Sequence, residues 1–245
     1  MLYPFQTVLT NNRILATFRL TSLSEKAART GDPKEFVNAN VRLLDITHNP
    51  RGHILGVVGA GKIGFQVARK AHLAFGMNIH YCDPVRLPSN QEDEIRACHQ
   101  RSLDDLLAIS DCVVIATPYS EKTHHLIDAN ALSKMQRGTR LVNTSRGKVV
   151  DEKALIEALR SGHLFSVGLD VHHDEPKVCG EWRWLIFYVA PELIGMDNVT
   201  LLTHMGGGTI ETRAEFERLS LENITQLFFG NGKPISPVNN PQIND

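Results

Sequence analysis

Cysteine is scarce in this chain and its placement is scattered: Cys82, Cys98, Cys112 and Cys179 include no pair at C-x-x-C spacing. That excludes a disulfide scaffold or a zinc knuckle and suits reduced thiols in an intracellular, cytoplasmic protein. Long apolar runs are missing as well. No window approaches the ~20 apolar residues that cross a bilayer, and Met1 to Leu20 lack the basic start and clean apolar core of a signal peptide. An excess of either charge is absent: 26 Lys and Arg against 27 Asp and Glu leave a net charge of −1. That gives no electrostatic case for nucleic acid or an anionic membrane. The 11 histidines invite a metal. However, His124–His125 and His172–His173 are adjacent pairs that point apart on either a helix or a strand, and no H-E-x-x-H spacing occurs. No metal site is expected.

What the chain does have is alternation. Short apolar, β-branched runs at 53–59, 77–83, 112–118, 140–145, 166–171 and 198–204 read as strands, continuous enough in apolarity to be buried on both faces. Amphipathic helical stretches fall between them, among them "KIGFQVARKAHLAFG", "SLDDLLAI", "ANALSKM" and "DEKALIEALRSG". Asp151 is placed to cap the last of these and Gly162 to end it. This pattern predicts an α/β fold with a doubly wound parallel sheet. Before it come one helix, "ILATFRLTSLSEKAAR", and a polar, turn-rich segment, 30–52. After it, residues 209–229 form a long amphipathic helix capped by Thr209. Neither end holds enough apolar material for a second core.

"GVVGAGKIG" places Gly59-x-Gly61-x-x-Gly64 directly after the first predicted strand and at the start of a helix. In that context each glycine has a job: a tight turn, close approach of a pyrophosphate, and close packing of helix on strand. The helix start offers N–H groups and the positive end of its dipole to phosphate. Asp83 ends the next strand, about 20 residues on, where a carboxylate accepts hydrogen bonds from ribose hydroxyls and repels a 2′-phosphate. NAD is therefore expected over NADP, although Arg86 lies close enough to soften that preference.

Ligands of such sheets bind beyond the carboxyl ends of the strands. Arg146 follows one strand, Asp170 and Glu175 the next, and His204 the last. An arginine fork holds a carboxylate or polarises a carbonyl. A histidine protonates the carbonyl oxygen as hydride arrives, and a carboxylate beside it orients the imidazole and favours its charged form. On residues alone, a surface or capping role stays open for each.

"GVVGAGKIG", "ATPYSEKTHHLI", "LVNTSRGKVVDEKALIEALRSG", "GLDVHHDEP" and "LLTHMGGGTIET" together resemble the D-isomer-specific 2-hydroxyacid dehydrogenases. The likeness runs over roughly 14–239 and is strongest to the fungal branch of glyoxylate or hydroxypyruvate reductases and D-mandelate dehydrogenase. It implies a Rossmann nucleotide domain at 50–205, preceded by an interdomain helix and arm at 1–49 and followed by a return helix and tail at 206–245. It implies reversible reduction of a 2-oxo acid to the D-2-hydroxy acid, and a homodimer through nucleotide domains. The alternative is a dinucleotide-binding module without turnover, or a truncated gene product.

By the same resemblance Arg146 binds substrate, His204 is the acid/base and Glu175, before Pro176, its partner. Asp170 approaches the nicotinamide amide, and Thr117 and Pro118 lie along the cofactor. Asn143 leads to the arginine. Lys62, Ile63, Thr144, Ser145, Gly206 and Gly207 join the three glycines and Asp83 in the cofactor site. His124, His125, His172 and His173 match no catalytic position and read as surface or packing residues.

The sequence departs from the family in three places. The family's substrate domain is expected to begin ~100 residues earlier, so its main part is not in this chain and the C-terminal helix is left with an exposed apolar face. Thr203 stands where proline usually precedes the histidine, which predicts a less rigid His204. Cys179 to Ala190 reads as an insertion beside Glu175: a hydrophobic lid, or an intron translated in frame. The run from Trp184 to Ala190 is too short to span a membrane.

Overall fold

The computed structural model describes residues 4–173 and 189–236. Three helices lead: α1 (Pro4–Arg19), α2 (Thr21–Arg29) and α3 (Pro33–Ile46). Then β1 (Ile54–Val58), α4 (Lys62–Phe75), β2 (Asn78–Cys82), α5 (Ser89–Ile95), β3 (Cys98–His99), α6 (Leu103–Ile109) and β4 (Cys112–Ile115) follow. The second half adds α7 (Ala129–Lys134), β5 (Thr139–Asn143), α8 (Glu152–Arg160), β6 (Leu164–Leu169), α9 (Pro191–Ile194), β7 (Val199–Leu201) and α10 (Ile210–Phe229). The seven strands form one sheet in the order β3-β2-β1-β4-β5-β6-β7, every pair parallel. This is the expected doubly wound sheet, with a seventh strand, β3, too short to be read from the sequence.

Alternation along each strand feeds two cores. Val113 and Ile115 of β4 join Leu106, Leu132 and Leu155 on one face, while Cys112 and Val114 join Ile14, Phe18, Phe65 and Ala68 on the other. On the second face β6 offers two small residues, Ser166 and Gly168, to α1. An added Cβ at Gly168 would sit 3.2 Å from Arg13 Cβ, and Ser166 Oγ donates to Thr17 O at 2.8 Å. The sheet surface is thus shallow where α1 lies. α1 packs on this face of the sheet through Ile14 and Phe18.

Two expectations at the N-terminus need correction. The single helix expected over 14–29 breaks at Leu20, which adopts a left-handed conformation, φ 48° and ψ 46°. A leucine there is strained, but its side chain is buried, and the turn lets α2 leave the sheet and pack on α3. The segment expected to be turn-rich contains a 14-residue helix, α3. Gly31, Asp32 and Pro33, which read as a turn, instead end one helix and start the next. Gly31 takes φ 68°, Asp32 accepts the Lys34 N–H at 2.8 Å, and Pro33 fits the first helical turn, where its missing N–H costs nothing.

Both expected caps form: Asp151 accepts from the amides of Lys153 and Ala154, and Thr209 accepts from Thr212. Phe36, Val37, Val41 and Leu44 of α3, and Phe216, Ile224 and Phe228 of α10, are exposed.

The register positions the site. Cys82 pairs with Val58, Val58 with Ile115, Ile115 with Asn143, Asn143 with Leu169 and Leu169 with Leu201. The carboxyl ends of these strands therefore form one level row. The residues that follow each strand emerge along a single edge of the sheet.

Candidate active site

At the end of β1 the chain turns on Gly59, whose φ of 91° disfavours any side chain. A Cβ on Gly64 would lie 1.9 Å from the Gly59 carbonyl oxygen, so α4 can start against the strand only because that residue is glycine. Gly61 has open space where a Cβ would point. No side chain caps the start of α4, and its first turn, Lys62, Ile63 and Gly64, faces the loop. Gly61 and Lys62 line a cavity of about 570 Å³ that Asp83, Val85, Arg86 and Gln91 close on the other side. The open ground above Gly61, an uncapped helix start and a carboxylate across the cavity fit a dinucleotide: pyrophosphate at the glycines, adenosine towards Asp83.

Asp83 is held rigidly. Its Oδ2 accepts the Ala60 N–H and its Oδ1 the Val85 N–H, each at 2.8 Å, and each oxygen keeps a lone pair for a ribose hydroxyl. Behind it runs a network on buried Tyr81. The Tyr81 hydroxyl accepts from the Leu87 N–H at 2.9 Å and donates to Glu92 Oε1. Glu92 in turn receives Arg86 through Nε and Nη2, both at 2.9 Å. Burial and the bond to Glu92 push the tyrosine hydroxyl up to about 12, while Arg86 and then Tyr81 hold Glu92 below the usual carboxylate range.

Along the row, Ala116 and Thr117 pass over Gly59, with the Thr117 amide 3.0 Å from where its Cβ would be. Pro118 accepts from Thr123 Oγ1. Beyond β5, Asn143 shapes the loop: its Oδ1 accepts from the Ser145 amide and hydroxyl, and its Nδ2 donates to the Arg146 carbonyl at 3.0 Å. Thr144 is tied to α1 by Thr10 Oγ1 at 2.9 Å and by Gln6 Nε2 at 2.8 Å. The Arg146 side chain projects as an exposed group, with Nη1 donating to Ser145 O.

Asp170 ends β6, fully buried. Its Oδ1 accepts the Met205 amide at 2.9 Å and its Oδ2 the Gly206 amide at 2.8 Å. His204, the residue before them, is exposed with φ 56°. The two residues that follow it are thus tied to Asp170. A Cβ on Gly206 would meet Asp170 Oδ2 at 2.8 Å, whereas Gly207 has open space.

The structure therefore brings Arg146, Asp170 and His204 to the ends of adjacent strands on the same edge as the glycine cradle and Asp83. Glu175 and most of the Cys179–Ala190 segment lie outside the described residues. Ala190 at the end of that segment is buried in the main core beside Leu193.

Sequence reasoning missed several contributors. Gln6 and Thr10 gave no local signal, because their α1 helix reaches the site only through tertiary packing. Gly147 did give one, as the glycine after Arg146. Its Cβ would stand 1.9 Å from the His172 carbonyl oxygen, so it joins the loops after β5 and β6. His172 is buried and its Nε2 bonds Leu202 O at 2.8 Å; His124 and His125, expected to point apart, instead stack with ring centroids 4.0 Å apart, because His125 takes a left-handed φ of 48° and the pair lies in neither helix nor strand. Among the described residues no group of three or more His, Cys, Asp or Glu is placed to hold a metal.

Two substitutions test this geometry. Gly64→Ala is expected to separate α4 from β1, costing about 1–3 kcal/mol and weakening NADH binding in a fluorescence titration. Asp170→Ala leaves the Met205 and Gly206 amides without their acceptor and is expected to raise their hydrogen-exchange rates well above those of β5, as read by exchange mass spectrometry.

Comparison with known proteins agrees with this geometry. Residues 13–206 match the model of the family described as D-isomer specific 2-hydroxyacid dehydrogenase, NAD binding domain. The chain is 35% identical over 224 residues to glyoxylate/hydroxypyruvate reductase B of Erwinia tasmaniensis, covering 91% of this chain and 64% of that protein. It is 37% identical over 232 residues to a glyoxylate reductase of Thermococcus onnurineus, covering 94% of this chain and 65% of that one. Its fold superposes on the apo D-mandelate dehydrogenase of Rhodotorula graminis with a TM-score of 0.90 at 43% identity, over 96% of this chain and 65% of that structure. The chain thus spans just under two thirds of the length of these relatives. It belongs to the D-isomer-specific 2-hydroxyacid dehydrogenases.

Proposed function

We propose that this chain carries the nucleotide-binding and acid/base half of an NAD-dependent oxidoreductase that interconverts a 2-oxo acid and the D-2-hydroxy acid. The observation that carries the reading is the level row of strand ends, which puts the glycine cradle, Asp83, Arg146 and His204 along one edge. Gly59, Gly61 and Gly64 seat the pyrophosphate, and Asp83, fixed by two backbone amides, receives the ribose hydroxyls and favours NAD over NADP. When bound there, the nicotinamide would supply the hydride that reduces the substrate carbonyl. Arg146 holds the substrate carboxylate or polarises its carbonyl, and His204 gives its proton to the carbonyl oxygen, leaving a hydroxyl and a neutral imidazole. Glu175 is the residue we assign to orient that imidazole.

Glyoxylate, hydroxypyruvate and larger 2-oxo acids are the candidate substrates, on the names of the relatives. The exposure of Arg146 and His204 supports a second reading, a dinucleotide-binding module without turnover, since water is not excluded from either group. The exposed apolar stripe on α3, in the arm that precedes the nucleotide-binding unit, supports a homodimer. Cys82, Cys98 and Cys112 are free thiols, in keeping with a cytoplasmic setting. Among the described residues no helix is long and apolar enough to cross a membrane.

NADH consumption by the purified chain, with each candidate acid in turn, separates the two readings. Turnover that falls by roughly 10²–10⁴ in His204→Ala supports general acid–base catalysis; NADH binding with no consumption of any acid supports the module. For the dimer, sedimentation velocity is expected to show twice the monomer mass, shifted towards monomer by Val41→Lys; a wild-type monomer at micromolar concentration would sink that assignment.

A further inference from the structure

The corner of the nucleotide cavity beyond Asp83 holds an arrangement that ribose recognition alone does not need. Arg86 lines the same cavity as Asp83 and lies three residues along the chain, so it is placed to meet a 2′-phosphate. Its guanidinium is instead engaged twice by Glu92, Nε to Oε1 and Nη2 to Oε2, both at 2.9 Å. That fork-on-fork geometry is the strong form of the pair. Glu92 cannot swing away with the arginine. It is buried and held from behind by the hydroxyl of fully buried Tyr81, which is itself bonded to the Leu87 amide.

We propose that Glu92 is a positioning residue for cofactor choice: it commits the guanidinium of Arg86 and so denies it to a 2′-phosphate. The inference rests on the reading of this cavity as the adenosine site. Discrimination then has two layers. Asp83 repels the phosphate directly, and Glu92 neutralises the cation that would otherwise compensate for Asp83. Loss of Asp83 alone leaves the second layer intact, so full acceptance of NADP requires that Arg86 also be released. Tyr81 provides the anchor that gives the second layer its rigidity.

The test is a binding cycle on the full chain, with NADH and NADPH dissociation constants read by nucleotide fluorescence for the wild type, Asp83→Ser, and Asp83→Ser combined with Glu92→Gln, with Arg86→Ala, and with both. Glu92→Gln keeps the shape and an acceptor for Tyr81 but removes the charge that holds Arg86. In the Asp83→Ser background it is expected to tighten NADPH by about fivefold and to leave NADH within about twofold, so the selectivity ratio moves. Arg86→Ala is expected to change little while Glu92 is present and to abolish the gain when Glu92 is glutamine, a coupling that only a cycle exposes.

An unchanged NADPH affinity on Glu92→Gln overturns the proposal, as does a gain that survives Arg86→Ala. Parallel weakening of both nucleotides also overturns it, because that is what a merely structural Glu92 would give. A wild-type chain that binds neither nucleotide removes the cavity assignment and this inference together. Tight NADH binding in the wild type, with NADPH gained in Asp83→Ser but no further effect of Glu92→Gln, leaves the cavity assignment standing and overturns this inference alone.

Discussion

Between β1 and α4 there is no room for a single methyl group. The Gly59 carbonyl oxygen stands 1.9 Å from where a Cβ on Gly64 would be, and Gly59 itself turns at φ 91°. The close approach brings the helix start directly over the carboxyl end of the strand. From there its first-turn amides and dipole act on whatever lies at the end of the sheet. The same approach puts the Ala60 amide within reach of Asp83, which fixes the acid proposed for the ribose. Steric contact, proposed phosphate seat and proposed ribose acceptor are thus one construction.

The rest of the site uses carboxylates and amides in the same way, as braces first and as functional groups second. Asp170 spends both oxygens on the amides of Met205 and Gly206 and so sets the loop that presents His204. Asn143 spends its carboxamide on the turn that presents Arg146. Buried groups do the holding because a fully desolvated acceptor with unbonded donors beside it is costly to disrupt. The groups assigned to chemistry, Arg146 and His204, project from these braces into the open. Rigidity comes from below the surface, and reactivity stays accessible above it.

Much of this was legible in the residues themselves. The glycine spacing after an apolar run, the aspartate one strand later, and caps at Asp151 and Thr209 depend on chain-local geometry, which sequence carries directly. Where reading failed, the cause was either ambiguity or distance. Gly31-Asp32-Pro33 is a sound turn and an equally sound helix stop, cap and start, and only the amphipathic run behind it decides for the helix. Leu20 breaks a continuous helical pattern because burial of its side chain outweighs an unfavourable backbone, a balance that periodicity does not report. The two-residue β3 exists because β2 offers it an edge. Gln6 and Thr10 act on Thr144 from more than a hundred residues away, through the packing of α1.

The alternation that makes a parallel sheet, the glycine-rich turn, the identity of the acid and base candidates and their order along the chain were already set in the amino-acid sequence. These follow from spacing and side-chain chemistry, which act within a few residues. The tertiary structure alone decided that Cys82, Val58, Ile115, Asn143, Leu169 and Leu201 end level with one another, and therefore that groups spread from Gly59 to Gly207 share one edge. It also decided that Arg86 is already partnered by Glu92 and that Asp170 braces the loop of His204. Register and the Asp170 brace are settled by packing between segments distant in the chain, while Arg86 and Glu92, close in sequence, meet because Glu92 is held against Tyr81. No local pattern encodes which of several carboxylates an arginine will find.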